Sequence, residues 1–403
     1  MDVKCAFLNG ELTEEIYMLQ PEGFQQRDGL VCRLKRSLYG LKQAARSWNE
    51  RFHNFVVRLG FVRSRNDLCL YRRGSGDTQV ILVIYVDDVL IASGSEKLVG
   101  TIKKCLATEF EMTDVGEVRN FLGMRIDRDA EKKTLRISQR RYLENLLDRF
   151  QMRDCRPIAT PMENRLKLPK GEESKRTSKP YRELVGCVMY VSLTSRPDLA
   201  VAANYFSQFQ ACPNEIHWIH LRRVLRYIRG TLDLGLIYRG CDVGPVLEAY
   251  SDADWANDIT DRRSVSGAVF KVCGSTVSWS AKKQATVSLS STEAELIALC
   301  AATCHGLWLV RILEDLGSKP VTPITYYEDN QSTMKIAANP KDSGRLKHLD
   351  VKHFFVRELV ESHQIRIEYI PTTKQQADIL TKSLPGPAFR KFRGYLGLTD
   401  CRV

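Results

Sequence analysis

Gln79-Val80-Ile81-Leu82-Val83-Ile84-Tyr85-Val86-Asp87-Asp88-Val89-Leu90-Ile91-Ala92-Ser93 is the stretch on which the first half of the chain turns. Two runs rich in β-branched residues flank a pair of aspartates, the pattern of a β-hairpin with a polar tip. Adjacent carboxylates repel, and burying them without partners is costly. Between two strongly apolar strands, the economical arrangement is a tip that carries a cation. Mg²⁺ suits such a tip because it takes carboxylates together with substrate phosphate oxygens. Two such ions can clamp an in-line phosphoryl transfer. Asp is also a common turn residue, so composition alone leaves a plain Asp-rich turn open.

Outward from the hairpin, Ser95 to Phe110 has helical spacing, Val118 to Ile126 and Thr134 to Ile137 read as strand, and Arg140 to Phe150 as a short amphipathic helix. Met162 to Pro180, rich in Lys, Glu and Ser, reads as a linker, and Tyr181 to Arg229 as several helical pieces. Gly230 to Pro245 ends in Gly-Pro, a weaker boundary. From Val246 the order becomes strand, strand, strand, long helix, strand, helix, helix, strand, helix. That alternation predicts an α/β domain with a partly parallel sheet.

The chain has 403 residues, with Lys+Arg 60 against Asp+Glu 48, and its net charge of +12 points to a polyanionic partner. A hydrophobic content of 43% is too high for a disordered chain. The longest apolar runs, Val80 to Val86 and Leu296 to Ala302, fall far short of the ~20 residues a membrane helix needs. No membrane partner is expected, and no secretory leader opens the sequence. The cysteines lack zinc-site spacing and predict reduced, mostly buried thiols in a reducing compartment.

A second set of acids follows Val246. Val246 to Trp255 reads as a strand ending in acids, and Ser291-Thr292-Glu293-Ala294-Glu295 opens a long helix. Thr292 and Glu295 have capping-box spacing, and Gly317 is a natural stop. Ile324 to Asp329 is a strand whose last acid meets a helix start, the place where open α/β sheets bind ligands. Gln375 to Leu380 starts a terminal helix. Four acids on four elements are placed to share two metal ions. First-turn helix acids and an Asp N-cap are the plainer account of each one alone. His348 and His353 lack His-x-x-x-His spacing. A nucleic-acid contact by His348 or a nearby Lys is a better reading than a metal ligand, and a solvated or capping His is plainer still. Arg222, Arg226 and Arg229 form one helical stripe suited to a phosphate backbone, with Arg136, Arg140, Arg141 and Arg149 as a looser basic group.

The wording of these stretches resembles the Copia-type (Ty1/Copia) long-terminal-repeat retrotransposon polyprotein. Leu82 to Ser93 looks like the catalytic hairpin of reverse transcriptases, and Met1 to Gly10 like the motif that supplies a third metal-binding aspartate. Ser37-Leu38-Tyr39-Gly40-Leu41-Lys42-Gln43-Ala44 resembles the segment that supports template and nucleotide, and Phe121-Leu122-Gly123-Met124-Arg125-Ile126 the primer-gripping hairpin. The stretches D-A-D-W-A, S-S-T-E-A-E-L-I-A-L, E-D-N-Q-S, K-H-L-D-V-K-H-F-F-V-R-E and A-D-I-L-T-K look like the ribonuclease H domain of the same elements.

The resemblance implies Asp2, Asp87 and Asp88 as the polymerase metal set, with Phe7, Tyr39, Gly40 and Lys42 at the nucleotide. Phe7 would clash with a ribose 2′-hydroxyl and so select deoxynucleotides. A core Phe is the plainer reading of that residue. The resemblance implies Asp252, Glu295, Asp329 and Asp378 as the nuclease metal set. Asp254 is an alternative to Asp252, because period two puts both on one strand face, and Glu293 is an alternative to Glu295. Gly123, Arg140, Arg141 and His348 would meet nucleic acid.

The implied fold is α/β and α+β multidomain. It comprises a truncated palm over 1–130, a thumb-like segment over 131–165, linker and connection over 166–244, and a ribonuclease H-like mixed sheet with flanking helices over 245–403. In the family a fingers region precedes the first aspartate. The expectation here is a palm without fingers, with an exposed sheet edge and incomplete polymerase activity. The expected function is RNA-directed DNA synthesis and cleavage of RNA in RNA–DNA hybrids with Mg²⁺, or Mn²⁺ in its place. The partners are an RNA template, a DNA primer and deoxynucleotides. The setting is the cytoplasm, including a virus-like particle, or the nucleus. The rival expectation is an inactive transposon remnant that only binds nucleic acid.

Overall fold

The computed structural model describes residues 1–27, 29–241, 246–318, 321–338 and 350–400. Two compact units divide it: Met1–Val118 with Arg311–Ser318, and Arg119–Val310 with Lys319–Val403.

In the first unit, apolar alternation builds a sheet. Its strands are β1 (Asp2–Val3), β2 (Tyr17–Leu19), β3 (Val31–Arg33), β4 (Val62–Arg63), β5 (Leu70–Arg73), β6 (Val80–Tyr85), β7 (Asp88–Ser93) and β8 (Met112–Thr113). Its helices are α1 (Ala44–Arg58) and α2 (Glu96–Glu109). Six strands form an antiparallel sheet in the order β4-β5-β6-β7-β1-β8, while β2 and β3 pair with each other. Val80, Leu82 and Ile84 of β6 point into a core with Trp48, Phe52 and Val56 of α1 and Ile102 and Leu106 of α2. The helix expected from Ser95 is found, with the Ser95 hydroxyl capping it by accepting from Leu98 N. β1 has partners on both sides, so the strand that carries Asp2 is not an edge of this sheet.

The second unit begins with β9 (Asn120–Phe121), β10 (Met124–Asp129), β11 (Thr134–Ser138), α3 (Arg140–Arg149), α4 (Tyr181–Thr194), α5 (Ala200–Ser207), α6 (Glu215–Arg229) and β12 (Leu234–Arg239). It continues with β13 (Val246–Ala253), β14 (Val265–Val272), β15 (Ser275–Lys283), α7 (Ser291–Asp315, of which residues 311–315 are counted with the first unit), β16 (Val321–Glu328), α8 (Gln331–Ala338), α9 (Asp350–Glu361) and β17 (Ile365–Tyr369). It closes with α10 (Asp378–Thr381), α11 (Gly386–Tyr395) and β18 (Leu398–Asp400). One antiparallel sheet runs β18-β12-β11-β10-β9. The other, β15-β14-β13-β16-β17, is mixed: β13 is antiparallel to β14 and parallel to β16, and β17 is parallel to β16. The mixed sheet with flanking helices is the architecture that the element order implied.

The contact-based division of the chain falls between residues 118 and 119. The reason is shared pairing and packing: β10 pairs with β11, β11 with β12 and β12 with β18. Leu147, Leu168, Val185, Leu225, Ile379 and Phe389 lie in one core cluster. Several expectations need correction. Met162 to Pro180 is not a free linker. Met162 and Leu168 are buried, Asn214 Nδ2 donates to Glu172 O at 2.9 Å, and a Cβ at Gly171 would collide with the Cys212 carbonyl. The thiols are neither all reduced nor mostly buried. Cys241 and Cys273 form a disulfide, and the free described cysteines are half-buried or exposed.

The count of uninterrupted apolar residues also missed a property of α7, which is long and apolar enough to cross a membrane by length and composition. Here it is a core element. Leu299, Ala302 and Leu309 pack with Leu247, Phe270, Ile324 and Tyr326 of the sheet. Gly306 lets the Tyr326 hydroxyl approach the helix where any side chain would clash.

A buried ion pair joins the helices of this unit. Arg196 and Asp198 are both fully buried, with Arg196 Nη2 2.8 Å from Asp198 Oδ2 and Nε 2.9 Å from Oδ1. Tyr227 donates its hydroxyl to Asp198, and Arg196 Nη1 donates to Thr231 O at 3.0 Å. Burial alone would raise the Asp198 carboxyl, but Arg196 and Tyr227 hold it below its ordinary value. Asp198→Ala would strand the Arg196 charge and is expected to cost ~3–5 kcal/mol in urea denaturation. The double variant Arg196→Met/Asp198→Leu, which removes both charges, is expected to lose less. A double loss as large as the single would show that the charge is not the cause.

Candidate functional site

β13 and β16 run parallel as neighbours, so their C-terminal ends emerge at one edge of the mixed sheet. Asp252 lies at that end of β13, and Glu328 and Asp329 at that end of β16. The start of α7 brings Glu295 to the same edge, and the start of α10 brings Asp378. One carboxylate oxygen from each of Asp252, Glu295 and Asp329 lies within 4.8 Å of the others. Asp378 stands outside that group of three, and its carboxyl contacts both Asp252 and Lys382. The Lys382 Nζ is 2.7 Å from Asp378 Oδ1 and 3.9 Å from Asp252 Oδ2. Thr381 donates its hydroxyl to Asp252, and Thr372 donates to Asp329 Oδ2 at 2.5 Å.

The helix cap separates the neighbouring glutamates. The expected Thr292–Glu295 capping box is not formed, because the helix starts at Ser291, two residues earlier than that pairing requires. Ser290 Oγ accepts from Glu293 N at 3.2 Å, and Glu293 Oε2 accepts from Leu289 N at 2.8 Å. Glu293 is therefore used by the cap, while Glu295 reaches the acids. Asp254 accepts from Val265 N and is turned onto β14, away from the group of three.

Burial dominates the electrostatics. It pushes the Glu295 carboxyl from 4.5 up to about 11, with Asp252, Glu328 and Asp329 adding to the shift. Asp378 rises to about 7 by burial and by Asp252, against the pull of Lys382. Asp254 rises to about 7 by burial, against the Val265 N–H. Asp329 is raised by burial and restrained by Thr372. Burial opposes the Lys382 ammonium, yet Asp252 and Asp378 outweigh it and raise the lysine. Glu295 Oε2 is buried with no hydrogen-bond partner. An all-oxygen donor set, crowded and short of positive charge, fits a divalent cation of the Mg²⁺ type.

Two participants escaped the sequence reading. Glu328 is fully buried beside the group, with Oε2 accepting from Ser251 Oγ and Oε1 from Asn330 N, both at 3.1 Å. An acid ending a strand next to Asp329 was the available signal. Lys382 follows Asp378 by four residues, the spacing of one helical turn. His348 lies outside the described residues. His353 is buried with Nε2 3.0 Å from Ile336 O, an ordinary structural contact.

At the first acid set, the β6–β7 turn is a two-residue loop of Val86 and Asp87. Val86 sits at φ 54°, a left-handed conformation that a β-branched residue rarely takes, and Trp48 Nε1 donates to its carbonyl at 2.7 Å. Asp2 and Asp88 are register partners, and burial followed by Asp2 raises Asp88. The Asp87 carboxylate accepts from the Tyr39 hydroxyl at 2.8 and 2.9 Å. The Phe7 ring lies 4.4 Å from that of Tyr39 and is half-buried, on the edge of the core rather than inside it. Gly40 takes φ +97°, and Lys42 is exposed. Asp2, Asp87, Asp88, Phe7 and Tyr39 thus share one surface. Among the described residues, the converging group of three carboxylates is the one at Asp252, not this one.

Leu122 and Gly123, both with positive φ, form the β9–β10 turn, and Tyr190 donates to Leu122 O. Arg140 is engaged by Glu144 and Asp233, whereas Arg141 is exposed. The arginine stripe on α6 has a structural task that periodicity did not reveal. Arg226 Nε donates to Arg156 O at 2.9 Å, Arg229 Nε to Arg153 O at 2.7 Å, and Arg222 Nη2 to Met152 Sδ at 2.8 Å. They pin the loop after α3.

The reverse transcriptase (RNA-dependent DNA polymerase) family matches residues 1–164. The retrovirus-related Pol polyprotein from transposon TNT 1-94 of Nicotiana tabacum is 38% identical over 99% of this chain, which spans 30% of that polyprotein's length. The putative transposon Ty5-1 protein YCL074W of Saccharomyces cerevisiae is 34% identical over 74% of this chain and 97% of its own length. A solved structure of RNase H1 from Halobacterium salinarum is 21% identical, covers 34% of this chain and 93% of its own, and has a TM-score of 0.25.

The raised carboxyls hold protons in the folded chain that the unfolded chain releases. Without divalent ions, stability therefore falls as pH rises from the ordinary values of 3.8 and 4.5 through about 7. Thermal unfolding in EDTA is expected at a higher temperature at pH 5 than at pH 8. Mg²⁺ needs ionised carboxylates, so its addition should raise the transition more at pH 8, by ~2–4 °C per kcal/mol of binding energy. Equal shifts at the two pH values would count against an ion held by these acids.

Proposed function

The chain belongs to the Copia-type (Ty1/Copia) family of retrotransposon Pol polyproteins, and on that premise we propose that its second unit hydrolyses the RNA strand of RNA–DNA hybrids. The observation that carries this reading is the convergence of Asp252, Glu295 and Asp329 within 4.8 Å, with Glu295 Oε2 left unpartnered. These three would hold a divalent cation, Mg²⁺ or Mn²⁺ in its place, with Asp378 beside them. When bound, such ions activate water and stabilise charge on the phosphodiester oxygens. Thr381 and Thr372 orient the Asp252 and Asp329 carboxylates for this task. The net charge of +12 favours a polyanionic substrate, with affinity that falls as salt rises.

For the first unit we propose the palm of an RNA-directed DNA polymerase, acting on an RNA template and a DNA primer within the longer polyprotein. Asp2 and Asp88 are adjacent across the ladder, and Tyr39 steadies Asp87. Phe7 and Tyr39 together form an aromatic wall for the sugar of an incoming deoxynucleotide.

Asp329→Asn is expected to lower cutting of a labelled RNA strand in a hybrid by ~100-fold or more, with hybrid binding and thermal stability retained. Undiminished cutting would reject the site. Hybrid binding by the unaltered chain with no Mg²⁺-dependent product would instead support a remnant that only binds. For the palm, Phe7→Ala in the polyprotein's polymerase is expected to raise ribonucleotide use against deoxynucleotide use by ~10-fold or more in primer extension. An unchanged ratio would remove Phe7 from the sugar site.

A further inference from the structure

Lys382 stands inside the acid cluster, where a solvated surface lysine would not. It follows the single turn of α10, whose first residue is Asp378, and α10 packs on β13 and β14. The ammonium is thereby aimed back at the end of β13. It lies 2.7 Å from Asp378 Oδ1 and 3.9 Å from Asp252 Oδ2. Both carboxylates are buried, while the lysine side chain remains 35% exposed.

The acids are thus divided unequally. Asp252, Glu295 and Asp329 converge on one point, Glu295 Oε2 has no hydrogen-bond partner there, and the Lys382 ammonium touches the group only through Asp252, at 3.9 Å. Asp378 is absent from that group; it touches Asp252 directly, and the Lys382 nitrogen lies beside both carboxylates. A divalent ion held jointly by Asp252 and Asp378 would occupy the space of the ammonium. At such separations two positive charges in a poorly solvated pocket repel strongly. The two occupants exclude each other.

We propose that Lys382 is a tethered cation filling the Asp252–Asp378 half of the nuclease site, so that the free chain takes one divalent ion and admits a second only when the lysine swings out. The inference rests on the nuclease reading of this site. The first ion goes to Asp252, Glu295 and Asp329. The lysine has a long flexible stem and a solvent-facing side, so a substrate phosphate can offer its ammonium another partner. Withdrawal onto that phosphate vacates the second half. Substrate binding and second-ion binding then favour the same lysine position and strengthen each other reciprocally. Lys382 acts through the carboxylates and is a positioning residue.

Calorimetric titration of the whole chain with Mg²⁺, and with Mn²⁺ followed by electron paramagnetic resonance, tests this without turnover. Lys382→Gln is expected to bind about one more ion per chain than the unaltered protein, and Lys382→Arg to match the unaltered protein. The extra ion should vanish in Lys382→Gln/Asp378→Asn, which ties it to the vacated half. Ions held by the palm aspartates contribute equally to all these proteins and cancel in the comparison. If Lys382→Gln does not fold, Lys382→Met replaces it. Equal stoichiometry and affinity in the charge-free variant and the unaltered protein overturn the proposal. If the stoichiometries are equal while the unaltered protein still binds an ion that Asp329→Asn abolishes, only the Lys382 inference has failed. If no protein binds an ion sensitive to Asp329→Asn, the nuclease reading fails and this inference with it.

Discussion

Like charges at close range in a poorly solvated place are the constraint to which the second unit answers. Asp252, Glu295, Glu328 and Asp378 are buried, and Asp329 is partly so, around one edge of a sheet. Nothing apolar is gained by putting them there, and each must be stabilised locally or lose its charge. The surroundings supply a short series of partners: Thr381 for Asp252, Ser251 and the Asn330 N–H for Glu328, Thr372 for Asp329 and Lys382 for Asp378. Glu295 Oε2 and Asp378 Oδ1 are left without a hydrogen bond, Asp378 having only its ion pair with Lys382, and the Glu295 carboxyl is displaced to about 11. A fold that served stability alone would replace such a cluster with hydrocarbon.

The same unit shows what a compensated buried charge looks like. Arg196 and Asp198 meet through two hydrogen bonds, and Tyr227 and Thr231 use what remains. That pair carries its own neutrality and joins the segment before α5 to α6. The acid edge carries excess negative charge that a bound cation would complete. In the first unit the arrangement is intermediate. Tyr39 donates to Asp87, and Trp48 holds the strained Val86 turn in place.

Where the sequence misled, a longer-range partner had overruled a local pattern. The α6 arginines have the spacing of a phosphate-binding stripe, but the loop after α3 offers carbonyls within their reach. The polar composition of 162–180 suggested a spacer, yet Met162 and Leu168 find a core to enter. Thr292 and Glu295 have the spacing of a capping box, but Ser290 takes the cap two residues earlier and frees Glu295 for the acid edge. Cysteine spacing carried no sign of the Cys241–Cys273 bridge, because strand geometry brings those two together.

The sequence by itself determined the strands, most helices, the mixed character of the last sheet and the candidate acids. These follow from period-two and helical spacing, turn chemistry and the order of long motifs, all of which act over a few neighbouring residues. The tertiary structure alone decided which acids meet. Choosing Asp252 over Asp254 and Glu295 over Glu293, and adding Glu328 and Lys382, depends on parallel pairing of β13 with β16 and on the placement of α7 and α10 against them. Charge–charge energy varies with distance and burial through space, and neither quantity is a function of position along the chain.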